Sequence, residues 1–167
     1  ILGNMRMLPQ RLEGFWRNYP LILEQCLKIT PNVCIMLQYR PSRTQKQYRV
    51  YEAMSTLPGP LTAVQKLNSL MEKVYPPVFA LARKHKLPIV DLTRSFDIDD
   101  ASLYRSQIEP SAKGGARIAG MLAHVLTSHP FVGGKSGARF YVQRKGSDKV
   151  ESEPCDEKSQ WKISEDP

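Results

Sequence analysis

The sequence has few of the features that mark membrane, secreted or metal-binding proteins. Its 167 residues contain no apolar run of 18 or more, which a membrane-spanning helix would need. The three cysteines form no CxxC pair and no Cys/His pattern with zinc spacing, and Cys26 and Cys34 lie in apolar runs where we expect burial. The first residues lack the basic start and apolar stretch of a signal peptide. We therefore expect no membrane span, no metal and no cofactor, and the start at Ile1 favours a fragment or a processed product.

Charge is unevenly distributed along the chain, whose formal net charge is +8. Residues 146–167 contain seven acidic residues against three lysines, a net −4, which leaves +12 on residues 1–145. Because the acidic segment is also poor in apolar residues, we expect residues 146–167 to be a disordered tail and place one domain in residues 1–145. The basic residues form no basic helix and no RNA-binding signature, so nucleic-acid binding is a less favoured hypothesis.

Apolar periodicity predicts helices and strands in alternation. The nearly continuous apolar runs at 33–39 and 88–92 are typical of strands buried on both faces, as in a parallel sheet, and 139–143 is predicted as an edge strand. Prolines are expected to interrupt the helical segments at Pro20 and at Pro76 and Pro77. Ser111 is the predicted N-cap of the last helix. The order of elements is the α/β pattern with parallel pairing. The predicted helices cover residues 11–28, 48–54, 61–75, 78–86 and 111–129.

Two loops lie at predicted carboxyl ends of strands, where open parallel sheets form their sites. The first contains Ile1-Leu-Gly-Asn4, and the second leads through Ile108-Glu-Pro-Ser111 and Gly114-Gly115 to Ile118-Ala119. Together with Ile89-Val-Asp-Leu92, the second stretch resembles the SGNH/GDSL hydrolase superfamily, whose members run from a strand and Asp-Leu through Asp-x-x-His-Pro-Ser-x-x-Gly into an Ile-Ala helix. The resemblance implies a three-layer α/β/α fold with a flavodoxin-like parallel sheet, N-terminally truncated in this chain.

The same resemblance implies site residues, with two replacements in the catalytic block. Aligning the Pro-Ser pair places Glu109 where the family has its general-base histidine and Ser106 where it has the aspartate. Gly3 and Asn4 are similar to the family block whose asparagine helps to bind an oxyanion. The Gly-Asp-Ser nucleophile block would lie upstream of residue 1, and nothing in the chain replaces it. A glutamate acts as a base near neutral pH only where burial disfavours its charged form.

Other charged residues near this loop have weaker assignments. Lys113 and Arg117 are candidate contacts for an anionic substrate, although a solvated first helical turn is the simpler interpretation. His124 lies about 20 Å along the helix, at ~1.5 Å per residue, and so does not replace the missing base. His129 is farther still, and His85 lies at the amino end of its strand.

Three functions remain open from the sequence. The leading hypothesis is an SGNH/GDSL-like hydrolase domain of the esterase or acyl hydrolase class, incomplete or catalytically degenerate, with a small-molecule ester as substrate if a serine lies upstream. The second is a pseudoenzyme that kept the fold as a non-catalytic binding module. The third is a basic nucleic-acid-associated domain. The sequence identifies neither a compartment nor an oligomeric state.

Overall fold

The structure, a computed structural model, describes residues 8–131, 137–157 and 161–163 as a mixed α/β fold with an open four-stranded sheet. None of the helices in these ranges combines the length and the apolar character that a membrane span requires. The strands are β1 (Ile35–Leu37), β2 (Pro88–Asp91), β3 (Arg139–Gln143) and β4 (Val150–Pro154). The helices are α1 (Leu8–Ile29), α2 (Val50–Ser55), α3 (Ala63–His85), α4 (Leu92–Ser95) and α5 (Ala112–Ser128), with a 3-10 turn at Ala101–Leu103.

The sheet has the order β1-β2-β3-β4 and is parallel except at one edge. β1 pairs with β2, and β2 pairs with β3 through Ile89 and Phe140, both in parallel. β3 also pairs with β4 in antiparallel, with Phe140 opposite Glu153. The prediction that 139–143 is an edge strand is therefore wrong, because β4 covers its outer side.

Side chains of the strands alternate between two apolar clusters, one on each face of the sheet. On one face, Ile89 and Phe140 pack with Val78, Phe79 and Ala82 of α3. On the other, the neighbouring strand residues Val90 and Tyr141 pack with Met121 and Val125 of α5. Because helices cover both faces of β2 and β3, these two strands read as continuous apolar runs in the sequence. On β1, Met36 is 49% exposed, so the prediction that residues 33–39 form a strand buried on both faces is wrong at that position.

Helix α3 runs without a break through Pro76 and Pro77, where the sequence predicted a kink or a new start. A proline inside a helix costs about 3 kcal/mol because it removes a backbone hydrogen bond and crowds the preceding turn. The helix is stabilised at its start, where Thr62 and Gln65 form a capping box. Burial of its apolar face against the sheet supplies the remaining stabilisation that offsets the cost of the prolines. Helix α1 likewise continues without a break through Pro20.

The described part of residues 146–167 differs from the expected disordered tail. Val150–Pro154 forms β4, and the buried Cys155 donates its backbone N–H to the Ala138 carbonyl at 2.9 Å. Farther along, Trp161 packs against Phe79 with ring centroids 5.1 Å apart. Ile163 is only 2% exposed, in a cluster with Met54, Leu67 and Met71. The few apolar residues of this acidic segment are thus spaced to reach the core.

The three cysteines are free thiols in different surroundings. Cys26 is exposed on α1, so the prediction of its burial is wrong. Cys34 is partly buried, and burial raises the pKa of its thiol to about 11. A thiol held in its neutral form is a poor nucleophile at neutral pH, so Cys34 is a packing residue.

Candidate functional site

The loops that leave the carboxyl ends of β1 and β2 are bonded to each other. The Ser42 N–H donates to the Gln107 carbonyl at 2.8 Å, and the Tyr39 hydroxyl donates to the Ile108 carbonyl at 2.8 Å. The Tyr104 hydroxyl, at the start of the second loop, donates to the carbonyl of Arg40 at 2.8 Å. These bonds join residues more than 60 positions apart and make the two loops one surface at this edge of the sheet.

Gln107 fixes this edge, and sequence reasoning missed it. Its side chain is 2% exposed, accepts the Val50 N–H at 2.6 Å and donates to the Gln45 carbonyl at 3.1 Å. A buried amide with both ends bonded orders the loop between β1 and α2. Glutamine is usually exposed, and its partners lie about 60 residues away in the sequence, so no local pattern indicated this role.

Ser106 is buried within a closed turn that ends at Glu109. Its hydroxyl accepts the Glu109 N–H at 3.1 Å, and the Arg105 N–H donates to the Glu109 carbonyl at 2.9 Å. The predicted Ser106 and Glu109 pair is therefore together in space, but the hydrogen bond joins the serine side chain to the glutamate main chain. Ser106 shapes the turn and does not orient the carboxylate through this bond.

The Glu109 carboxylate lies at the surface. Its side chain is exposed, and Oε1 accepts a long hydrogen bond from the Tyr48 hydroxyl at 3.4 Å. The desolvation that a glutamate base requires is absent at an exposed position. The arrangement offers a carboxylate and a phenol side by side, which suits hydrogen bonding to a ligand better than proton abstraction.

The histidines lie away from this loop. His129 is 5% exposed, its Nδ1 lies 3.0 Å from the Tyr141 hydroxyl, and burial lowers its pKa. The His124 ring also contacts Tyr141, with centroids 6.0 Å apart. Both therefore belong to the packing between α5 and β3.

Asp91, at the carboxyl end of β2, is fully buried, and its carboxylate has several hydrogen-bond partners. Its carboxylate accepts the Thr93 N–H at 3.0 Å, Arg94 Nε at 2.5 Å and Trp161 Nε1 at 2.7 Å. Arg94 also pairs with Glu153 of β4 at 2.5 Å. A carboxylate bonded on all sides caps α4 and holds the C-terminal segment, and it is not available for chemistry.

Lys113 and Arg117 are separated from Glu109. They line an open cleft of about 550 Å³ between α5 and the β3–β4 connection, and neither Glu109 nor Ser106 contributes to its lining. Lys113 Nζ donates to the Ser102 hydroxyl at 2.8 Å, and Arg117 Nη2 donates to the Gln143 and Arg144 carbonyls at 2.6 and 3.0 Å. The single substrate site that the sequence suggested is thus divided between two surfaces.

The remaining predicted site residues, Gly3 and Asn4, lie outside the described residues. Within the described ranges, no group of three or more His, Cys, Asp or Glu side chains is arranged to hold a metal ion.

The fold and the site together define a mixed α/β domain with an open, mostly parallel sheet and hydrogen-bonded loops at its carboxyl edge. Comparison with protein-family models, curated proteins and solved structures gave no match. The resemblance to SGNH/GDSL hydrolases therefore stays a prediction.

Proposed function

We propose that this chain is a degenerate SGNH/GDSL-like hydrolase domain, of the three-layer α/β/α type, that binds a small ligand at the carboxyl edge of its sheet without hydrolysing it. One observation carries the proposal: Glu109, at the position of the general-base histidine by resemblance, is exposed beside Tyr48. The Glu109–Tyr48 surface, defined by these two side chains, is the proposed ligand contact.

The junction between loop and helix supports the hydrolase-like frame. Ser111 caps α5 by accepting the Gly114 N–H at 3.1 Å, and Gly114 packs directly against the Leu103 carbonyl. A serine cap and a glycine three residues later are what the Pro-Ser-x-x-Gly motif of the resemblance would require for close packing of a helix on a sheet. Three parallel strands with helices over both faces agree with the same frame.

The chemistry of the described residues favours binding over hydrolysis. A general base must lie within hydrogen-bond distance of the nucleophile whose proton it takes. The Glu109 side chain contacts a phenol, and the nearby Ser106 hydroxyl is bonded within its own turn. The hydrogen-bonded loops beneath Glu109 keep its surroundings fixed, which lowers the entropic cost of holding a ligand.

An esterase is the second candidate, favoured by the position of Glu109 in the loop that leads into α5. In that reaction a serine supplied from outside the described residues would attack the ester, and Glu109 would take its proton. Approach of a substrate and a serine would have to bury the carboxylate.

Hydrolysis of p-nitrophenyl acetate by the full-length protein separates the two candidates. We expect release of nitrophenolate at the buffer rate from wild type, Glu109→Ala and Glu109→Gln alike. The matched control is Glu13→Ala, which removes an exposed glutamate on α1. Turnover that falls about a hundredfold or more in both Glu109 variants but not in Glu13→Ala would make the protein an esterase and overturn the proposal.

Binding is tested separately by a nuclear magnetic resonance titration with the same ester. Backbone amide signals of residues 105–109 should shift in wild type, and the shifts should weaken in Glu109→Ala and in Tyr48→Phe. The absence of both shifts and turnover would remove the binding function as well as the esterase.

A further inference from the structure

The cleft between α5 and the β3–β4 connection is lined by charged side chains that have no role in the proposed function. Three cationic side chains line it, against one carboxylate, Asp148. Lys113 and Arg117 come from α5, and Lys149 directly precedes β4. Its apolar lining includes Leu103 and Val150. We call this the α5 cleft.

Arg117 is the most unusual charge in the α5 cleft. Its Nη2 bonds two main-chain carbonyls, its Nε is buried with no hydrogen-bond partner, and no described carboxylate lies within ion-pair distance of its guanidinium. Burial lowers the pKa of Arg117, and the more distant Asp100, Asp148 and Asp97 offset only part of that effect. Because a guanidinium stays protonated at any working pH, a half-buried positive charge remains without a contacting counterion.

The two lysines add charge at the edges of the same space. Lys113 precedes Arg117 by one helical turn, so both side chains occupy one face of α5. Lys113 makes an exposed, 3.8 Å pair with Asp100, which contributes little binding energy and is readily exchanged for another anion. Lys149 approaches from the opposite wall, and its ammonium has no ion pair among the described residues.

The shape of the cleft indicates the size of the ligand. Its volume of about 550 Å³ lies in the range of small-molecule sites, which are usually concave and combine apolar walls with a few charged groups. Gly120 contributes to the lining, and a Cβ added there would meet nothing within 4 Å. A side chain at this position would therefore extend from the lining into the open space of the cleft.

We propose that the α5 cleft binds a small phosphorylated ligand, with Lys113, Arg117 and Lys149 contacting the phosphate and the apolar wall contacting the remainder. A phosphate presents several acceptor oxygens, which suit one guanidinium and two ammonium groups converging from two walls. The concave shape favours a small molecule over a nucleic-acid backbone, which binds along extended basic surfaces. This inference does not rest on the proposed function, because the two surfaces share no residue.

The test is isothermal titration calorimetry of the full chain with inorganic pyrophosphate at low salt. We expect saturable one-to-one binding that weakens about tenfold or more in the double variant Lys113→Ala/Lys149→Ala. The matched control, Lys28→Ala/Lys84→Ala, removes the same charge from exposed positions on α1 and α3 and should change affinity less than about twofold.

A second variant separates a cleft from a charged surface. Gly120→Leu retains every charge and replaces a helical glycine with a good helix former, so the fold should be maintained while the cleft is filled. Affinity for pyrophosphate should fall about tenfold in this variant as well. Circular dichroism melting of each variant confirms that it is folded before its affinity is compared.

Three results would overturn the inference. The first is no saturable heat with pyrophosphate, and the second is an equal loss of affinity in the control and cleft lysine variants. The third is a pyrophosphate affinity that Gly120→Leu leaves unchanged, together with binding of a DNA oligonucleotide that depends on Lys113 and Lys149. That outcome would assign the charges to a nucleic-acid surface.

Discussion

The Leu103 carbonyl has two roles where the second loop meets α5. It accepts the Ser111 N–H at 2.9 Å, and the same oxygen lies 2.1 Å from where a Cβ on Gly114 would stand. Since real Cβ atoms do not approach a carbonyl oxygen so closely, only glycine allows this contact between helix and loop. The residue that follows, Gly115, has nothing within 4 Å of the same position.

We therefore expect opposite effects from alanine at these adjacent glycines. Gly114→Ala should push the start of α5 away from Leu103, weaken the Ser111 bond and lower the free energy of unfolding by about 1–3 kcal/mol. Gly115→Ala should raise it by up to about 1 kcal/mol, because alanine favours the helix. Urea denaturation measures both, and equal effects in the two variants would show that Gly114 is not in close contact with the loop.

The residues of the site differ in how far away their partners lie. Ser111 could be predicted as an N-cap, because its bonding partner is three residues away. Gln107 and Asp91 could not be assigned, because Val50 and Trp161 lie 57 and 70 positions from them. The motif singled out Glu109 as a candidate site residue, but the exposure of its side chain depends on how the whole turn folds and is not encoded in the motif.

At the scale of elements, α3 shows packing overriding local preference. Its two prolines are exposed, whereas Val78, Phe79 and Ala82, which follow them, are buried against the sheet. A break at Pro76 would detach this buried segment from the first half of the helix. The apolar contacts therefore hold the helix continuous despite the lost backbone bonds.

Removal of one proline from α3 should stabilise the protein. Pro77→Ala restores a backbone donor within the helix and should raise the free energy of unfolding by about 1–3 kcal/mol, measured by urea denaturation. Pro60→Ala is the control, since Pro60 is exposed in the loop before the helix. There the change should lower stability by less than about 1 kcal/mol, by adding freedom to the unfolded chain. A destabilising Pro77→Ala would contradict a continuous α3.

Strand β4 is an element that apolar patterning could not identify. Its sequence, Val-Glu-Ser-Glu-Pro, has one apolar residue besides the proline, and its side chains are mostly exposed. An edge strand forms backbone hydrogen bonds to a neighbouring strand along one side only, so it does not require a continuous apolar sequence. Charged residues and proline on the free side disfavour pairing with another molecule. Its carboxylates pair with basic residues, Glu151 with Arg144 and Glu153 with Arg94.

For the molecule as a whole, the described part of the acidic segment 146–167 belongs to the folded domain. It covers the outer edge of β3, and its Trp161 contributes both a ring packed on Phe79 and a donor to the buried Asp91 carboxylate. The net −4 of residues 146–167 complements the +12 of the preceding residues. Opposite charge thus assists a docking that the few apolar residues fix in position.

Trp161→Ala tests whether this segment is part of the folded domain. Loss of the ring and of the hydrogen bond to Asp91 should lower the free energy of unfolding by about 3–5 kcal/mol. Trp16→Ala, on α1, is the control because Trp16 is 41% exposed, and it should cost about 1 kcal/mol or less. Thermal and urea unfolding of both variants would give equal stabilities if residues 146–167 were a detached tail.

The sequence alone determined the alternation of helices and parallel strands, the start of α5 at Ser111 and the imbalance of charge, because each of these depends on neighbouring residues or on composition. Only the tertiary structure decided that α3 passes through two prolines, that the acidic segment joins the sheet, and that Lys113 and Arg117 lie on a different surface from Glu109. These outcomes depend on contacts between residues far apart in the chain, whose burial and ion pairing outweigh local preference.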